Sequence, residues 1–177
     1  SATQYNPDIT SYDYDAPISE QGQPTPKYFA LRNLISKYVD YTIPPVPATP
    51  EPIEIPEIKM QPLTSVWNVL PAPVYSAQPI PMEALDQNSG FVLYRTKLIG
   101  HKSGNLVISE PHDYALVLLN GEFVDTVYRD KGLWNVKLPK TNIENPVLDI
   151  LVEGMGRVNF AQFLIDRKGI TNRVTLN

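Results

Sequence analysis

The chain contains no cysteine, so neither a disulfide framework nor a thiolate metal site is available to it. Histidine is nearly absent too: His101 and His112 are the only two, too few and too far apart for a His-rich metal site. Charged residues are 19% with a net charge of −4 and no basic block, which argues against nucleic acid as a partner. No apolar run approaches the ~18 residues that would span a bilayer, so no membrane partner is expected. Glycine is almost missing from the first half; after Gly22 the next is Gly90. No Gly-x-Ser-x-Gly and no phosphate-binding glycine pattern occurs, since Gly154-Met155-Gly156-Arg157 lacks both the required spacing and a following Lys-Ser/Thr. These absences leave no cofactor to expect.

What is present divides into three. Most of the 18 prolines lie between Pro44 and Pro81, and they separate two stretches of different periodicity. Residues 1–41 read as strand then helix. Over residues 9–14, Tyr12 and Tyr14 alternate with Ser11, Asp13 and Asp15, and Pro17 stops the strand. Thr25-Pro26 is an N-cap followed by proline in the first turn. Tyr28, Leu31, Leu34, Ile35 and Tyr38 then recur at helical spacing, predicting an amphipathic helix over 27–39. Residues 42–89 favour extended, polyproline-like chain. Ile53, Ile55, Ile58 and Met60 carry too much apolar surface to leave wet and predict one or two short edge strands packing on the β-sandwich that follows, and residues 65–69 predict a turn of helix.

Residues 90–177 read as β throughout. Strands are expected at 91–98, 106–109, 114–119, 122–128, 133–138, 148–153, 160–165 and 173–176. Residues 114–119 are apolar on both faces, which marks a central strand. Asn120-Gly121 suits a tight hairpin. Trp134, Val136 and Leu138 face in against Asn135 and Lys137; Leu148, Ile150 and Val152 face in against Asp149 and Glu153. Many short strands at this spacing indicate a mainly β chain, an antiparallel β-sandwich of jelly-roll type.

The candidate functional groups are few. Asp13 and Asp15, two apart on a strand, would share a face at about 7 Å. That could be a carboxylate pair, but Asp-Ala-Pro is a natural strand exit at which Asp15 caps the turn. The tyrosines are the stronger candidates, since a phenol offers a hydroxyl to sugar hydroxyls and a ring to a pyranose face. Arg157 and Asn159 are polar within an apolar neighbourhood, which predicts a buried bidentate Arg–carboxylate contact. Asp166-Arg167-Lys168-Gly169 reads as a charged hairpin tip, and His112 as a strand-entry hydrogen bond.

Several stretches resemble glycoside hydrolase family 35, the retaining β-galactosidases: Thr10 to Pro17 (TSYDYDAP), Lys27 to Arg32 (KYFALR), Gly90 to Thr96, Asn120 to Val124, Met155 to Asn159 (MGRVN) and Asp166 to Ile170 (DRKGI). Gly154, Phe160 and Ala161 depart from the family pattern. The resemblance implies that residues 1–41 are the last strand and helix of a catalytic (β/α)8 barrel, 42–89 a linker, and 90–177 a galactose-binding-domain-like sandwich. It implies that Tyr14, and Tyr12 beside it, contact a terminal β-galactoside, with Asp13, Asp15, Arg157 and Asn159 at the seam between sandwich and barrel. It also implies that both catalytic glutamates belong to the missing catalytic barrel, so the chain alone is expected to be inactive. A sugar-binding module or a structural interaction domain are the alternative readings. Ser1-Ala2-Thr3-Gln4 is no signal peptide and reads as a boundary inside a longer chain; family members are commonly secreted, periplasmic or lysosomal.

Overall fold

The computed structural model describes residues 14–49, 51–101, 103–158 and 164–177. The described residues separate into two compact units, one up to Ala72 and the other over Pro73–Asn177.

In the smaller unit the helix α1 runs Pro26–Ile35. Proline opens it at no cost, because the first-turn N–H it lacks has no helical partner anyway. Thr25 stands at the N-cap position with extended backbone, but its hydroxyl caps nothing. It donates instead to Ala16 O at 2.9 Å and so ties the helix start to the preceding loop. The helix is shorter than its periodicity predicts. Lys37 N bonds Leu34 O and Tyr38 N bonds Ile35 O, so the last turn tightens to three-residue closure and stops. None of its residues is buried. Beyond it, residues 51–65 form neither helix nor strand, so the expected edge strands have no ladder. A single 3-10 turn forms at Val66–Asn68, where Ser65 Oγ accepts from Trp67 N. The expected strand over 9–14 lies outside the described residues except for Tyr14, which sits in a bend.

The larger unit is an antiparallel β-sandwich. Its strands are β1 Gly90–Lys97, β2 Gly104–Ser109, β3 Pro111–His112, β4 Tyr114–Leu119, β5 Glu122–Tyr128, β6 Leu133–Leu138, β7 Val147–Gly154, β8 Gly169–Ile170 and β9 Val174–Leu176. A four-stranded sheet has the order β1-β7-β4-β5, a three-stranded sheet the order β6-β2-β9, and β3 pairs with β8. The strand apolar on both faces, β4, is central, flanked by β7 and β5. Leu119 pairs with Glu122 across Asn120-Gly121, and both turn residues have positive φ (53° and 82°), as a two-residue hairpin matching strand twist requires.

The core lies where alternate side chains of the two sheets meet. Val92, Ala115, Val117, Val127, Ile150 and Val152 come from one sheet, and Leu106, Ile108, Val136 and Leu138 from the other. Each large aliphatic buried here contributes on the order of 1.5–3 kcal/mol, and that holds the sheets together. The alternation in β6 is as expected, with Val136 and Leu138 buried and Asn135 and Lys137 exposed. In β7 it is not: Asp149, expected outside, is 1% exposed. Arg95 lies directly opposite on β1 and covers it, with Nε and Nη2 on its two carboxylate oxygens at 2.6 and 3.0 Å. The expected strand over 160–165 falls on residues 160–163, outside the described residues, and on Leu164 and Ile165, which form none.

Candidate functional site

The strongest concentration of polar chemistry is a buried charge cluster at one end of the sandwich. Four short connections bring it together. Asp113 joins β3 to β4, Arg129 follows β5, Met155–Val158 follow β7, and Asp166 and Lys168 precede β8. Asp113 and Lys168 are fully buried, Asp166 is 5% and Arg129 9% exposed. The Lys168 ammonium lies 2.6 Å from Asp113 Oδ2 and 2.9 Å from Asp166 Oδ2, and it donates to Gly156 O at 3.0 Å. Arg129 Nη1 donates to Asp113 Oδ1 at 2.9 Å and Asp166 Oδ1 at 2.5 Å. The carboxylates also take backbone donors: Met155 N on Asp113 at 2.8 Å and Val158 N on Asp166 at 3.1 Å. Two cations meet two anions with most lone pairs used, which is the condition under which buried ions are tolerated.

The pKa values follow from that geometry. Burial pushes the Asp166 carboxyl up, but hydrogen bonds from Lys168, Arg129 and Val158 N and the Arg129 charge outweigh it, so it titrates below its ordinary value. For Arg129, burial opposes the charge, and the two aspartates more than restore it. Burial lifts the Tyr94 phenol to about 12; its hydroxyl donates to Ile80 O and accepts from Ile170 N.

A second layer fastens this cluster to the 3-10 turn Met82–Leu85. Glu83 accepts the backbone N–H of Lys168 at 3.0 Å and Arg157 Nη1 at 2.7 Å, while Met82 N donates to Lys168 O at 2.9 Å. Arg157 also reaches Asp166 O at 2.6 Å and Asn88 O at 2.7 Å. Burial raises Glu83, and the Arg157 and backbone hydrogen bonds bring it below its ordinary value.

The sequence-derived candidates fare unevenly. Arg157 does meet a carboxylate, but through one nitrogen, half-buried, and its partner Glu83 lies in the stretch read as linker. The bidentate pair is Arg95–Asp149 instead. Asp166 and Lys168, read as an exposed hairpin tip, are the buried centre. His112 Nδ1 lies 2.8 Å from Arg167 O, as a strand-entry contact should. Tyr14 is 84% exposed. Asp15 has positive φ and pairs with Lys27 at 2.7 Å on the surface. Tyr12, Asp13 and Asn159 lie outside the described residues. Among the described residues no group of three His, Asp or Glu side chains could hold a metal ion.

The carboxylates of the cluster are paired with cations and backbone N–H groups and are buried from solvent. The family described as "Beta-galactosidase, first all-beta domain" matches residues 79–177, and that described as "Glycosyl hydrolases family 35" matches residues 1–38. Beta-galactosidase 17 of Arabidopsis thaliana is 42% identical over 192 residues, covering 99% of this chain and 28% of that protein. Beta-galactosidase 1 of Dictyostelium discoideum is 38% identical over 193 residues, covering 95% and 29%. The human beta-galactosidase is 36% identical over 177 residues, covering 95% and 26%. The chain thus spans under a third of the length of these curated relatives.

Proposed function

The chain belongs to glycoside hydrolase family 35, and from that premise we propose that it is the non-catalytic portion of a retaining β-galactosidase, running from the end of the catalytic barrel through the first sandwich. The observation that carries this is the order of the two family matches in one chain, hydrolase at 1–38 and all-β domain at 79–177. The whole enzyme would cleave terminal β-D-galactosides with two carboxylates ~5–5.5 Å apart, one acid/base and one nucleophile. Both would come from the barrel strands upstream. This chain would add Tyr14 to the galactose site and brace the barrel with its sandwich. The exposure of Tyr14, 84%, supports that role, because a phenol so open to solvent can present its ring and hydroxyl to a pocket completed by another part of the enzyme.

Two assays test the reading. The 177-residue chain should show no turnover of a chromogenic β-galactoside above background; measurable turnover would refute the non-catalytic assignment. In the longer enzyme, Tyr14→Phe should raise KM for galactosides roughly threefold to tenfold, the worth of one neutral hydrogen bond. An unchanged KM would remove Tyr14 from the site.

A further inference from the structure

Among the described residues, an extended segment outside the sandwich exposes a run of large apolar side chains. Ile53, Ile55, Ile58, Met60 and Leu63 are 84%, 69%, 65%, 84% and 97% exposed. They fall in residues 51–65, which form neither helix nor strand. Among the described residues, no backbone hydrogen bond is made from residue 51 to 63. Side chains alternate along extended chain, so Ile53 and Ile55 share one side, as do Ile58 and Met60, with one change of phase at Pro56-Glu57. Glu54, Glu57 and Lys59 occupy the intervening positions and give the segment a net negative edge, while Glu51 and Leu63 fall outside that alternation. Free backbone groups, an apolar side and a charged side are the features of a segment that lies in a groove or along a sheet edge. Three prolines, Pro52, Pro56 and Pro62, stiffen it and lower the ordering entropy of docking.

We infer that residues 53–63 dock as a strap on the catalytic barrel of the same enzyme, in an apolar groove with a basic rim. This rests on the proposed function, and three observations select the occupant. The relatives extend more than three times the length of this chain, so the same polypeptide offers a large body to cover the strap. The strap lies in residues 39–78, between the hydrolase match and the sandwich match, where a connector would run. The adjacent helix α1, inside the hydrolase match, also buries none of its residues, with Leu34 and Ile35 each 50% exposed, so both carry apolar surface that needs the same cover.

Hydrogen–deuterium exchange over residues 51–63 tests the inference without using activity. The 177-residue chain alone should exchange there within seconds. In the longer polypeptide carrying the barrel, the same amides should slow at least tenfold, and Ile55→Glu with Ile58→Glu should restore fast exchange. Equally fast exchange in both proteins would overturn the strap. So would protection in the chain alone that grows with its concentration, because the occupant would then be a second copy. If the longer polypeptide protects the strap yet cleaves no galactoside, the functional reading fails and the docking stands; the opposite result separates them the other way.

Discussion

Each unit of the chain contains a Lys–Asp contact of nearly the same length, and the two are worth very different amounts. Lys168 meets Asp113 at 2.6 Å with side chains 1% and 0% exposed; Lys27 meets Asp15 at 2.7 Å with side chains 43% and 83% exposed. Distance therefore says little. Inside the sandwich, water cannot replace a lost partner, so breaking the pair strands a charge in a poorly polarisable medium. On the small unit, water solvates each ion almost as well as its partner does. The same contrast holds for apolar groups: Ile108 is fully buried between sheets, while Ile53, also isoleucine, is 84% exposed. One unit carries its own stability, and the other presents surface.

The contrast breaks most sharply at Lys168. Lys168→Met should destabilise the sandwich by about 3–5 kcal/mol, read from the urea midpoint, because Asp113 and Asp166 lose a shared ammonium. A loss below about 1 kcal/mol would mean the cluster is not a charged lock. Next comes Ile108→Ala, which should cost about 3 kcal/mol, whereas Ile53→Ala should leave the midpoint of the isolated chain where it was. Gly169→Ala follows at about 2 kcal/mol. Gly169 has φ of 93°, and an added Cβ would run into the Tyr94 hydroxyl, which also accepts from Ile170 N. Acid sharpens the comparison further. Asp166 titrates below its ordinary 3.8, so its stabilising contribution is complete above pH 3.8 and is lost as pH falls through the lower folded-state value. Urea midpoints between about pH 6 and about pH 2.5 should therefore fall more steeply for the wild type than for Asp166→Asn below 3.8.

These predictions fall on residues that differ in how readable they were. The central position of β4 and the alternation of β6 follow from apolar patterning alone, because burial against a sheet acts residue by residue. The Asn120-Gly121 turn was equally visible, since few dipeptides accept two positive φ values. Asp149 was misread because its cover, Arg95, is 54 residues away and nothing local reports it. Asp166 and Lys168 were misread for the same reason. A charged triplet before a glycine is locally identical to a solvated turn, and only Asp113, 55 residues from Lys168, makes it an interior. One signal was available: Asp166 and Lys168 alternate directly ahead of Gly169-Ile170, so both would fall on one side of an extended chain entering the core. Helix α1 was overextended because periodicity has no term for where the tertiary partner ends.

The smallest expected effect tests the small unit. Asp15→Asn keeps the shape of the side chain and its tolerance of positive φ, and removes only the charge facing Lys27. With Asp15 83% exposed, screening by water and salt should hold the change in chain stability under about 1 kcal/mol. A larger loss in the isolated chain would mean the pair already organises the turn between Tyr14 and α1, and the small unit would then hold structure of its own. The informative case is the longer enzyme. There, if the barrel closes over this turn, the same substitution should lower stability more than it does in the isolated chain, because covering the pair with protein removes the water that makes it dispensable. An identical small effect in both settings would mean that the Asp15–Lys27 pair stays in solvent when the barrel is present.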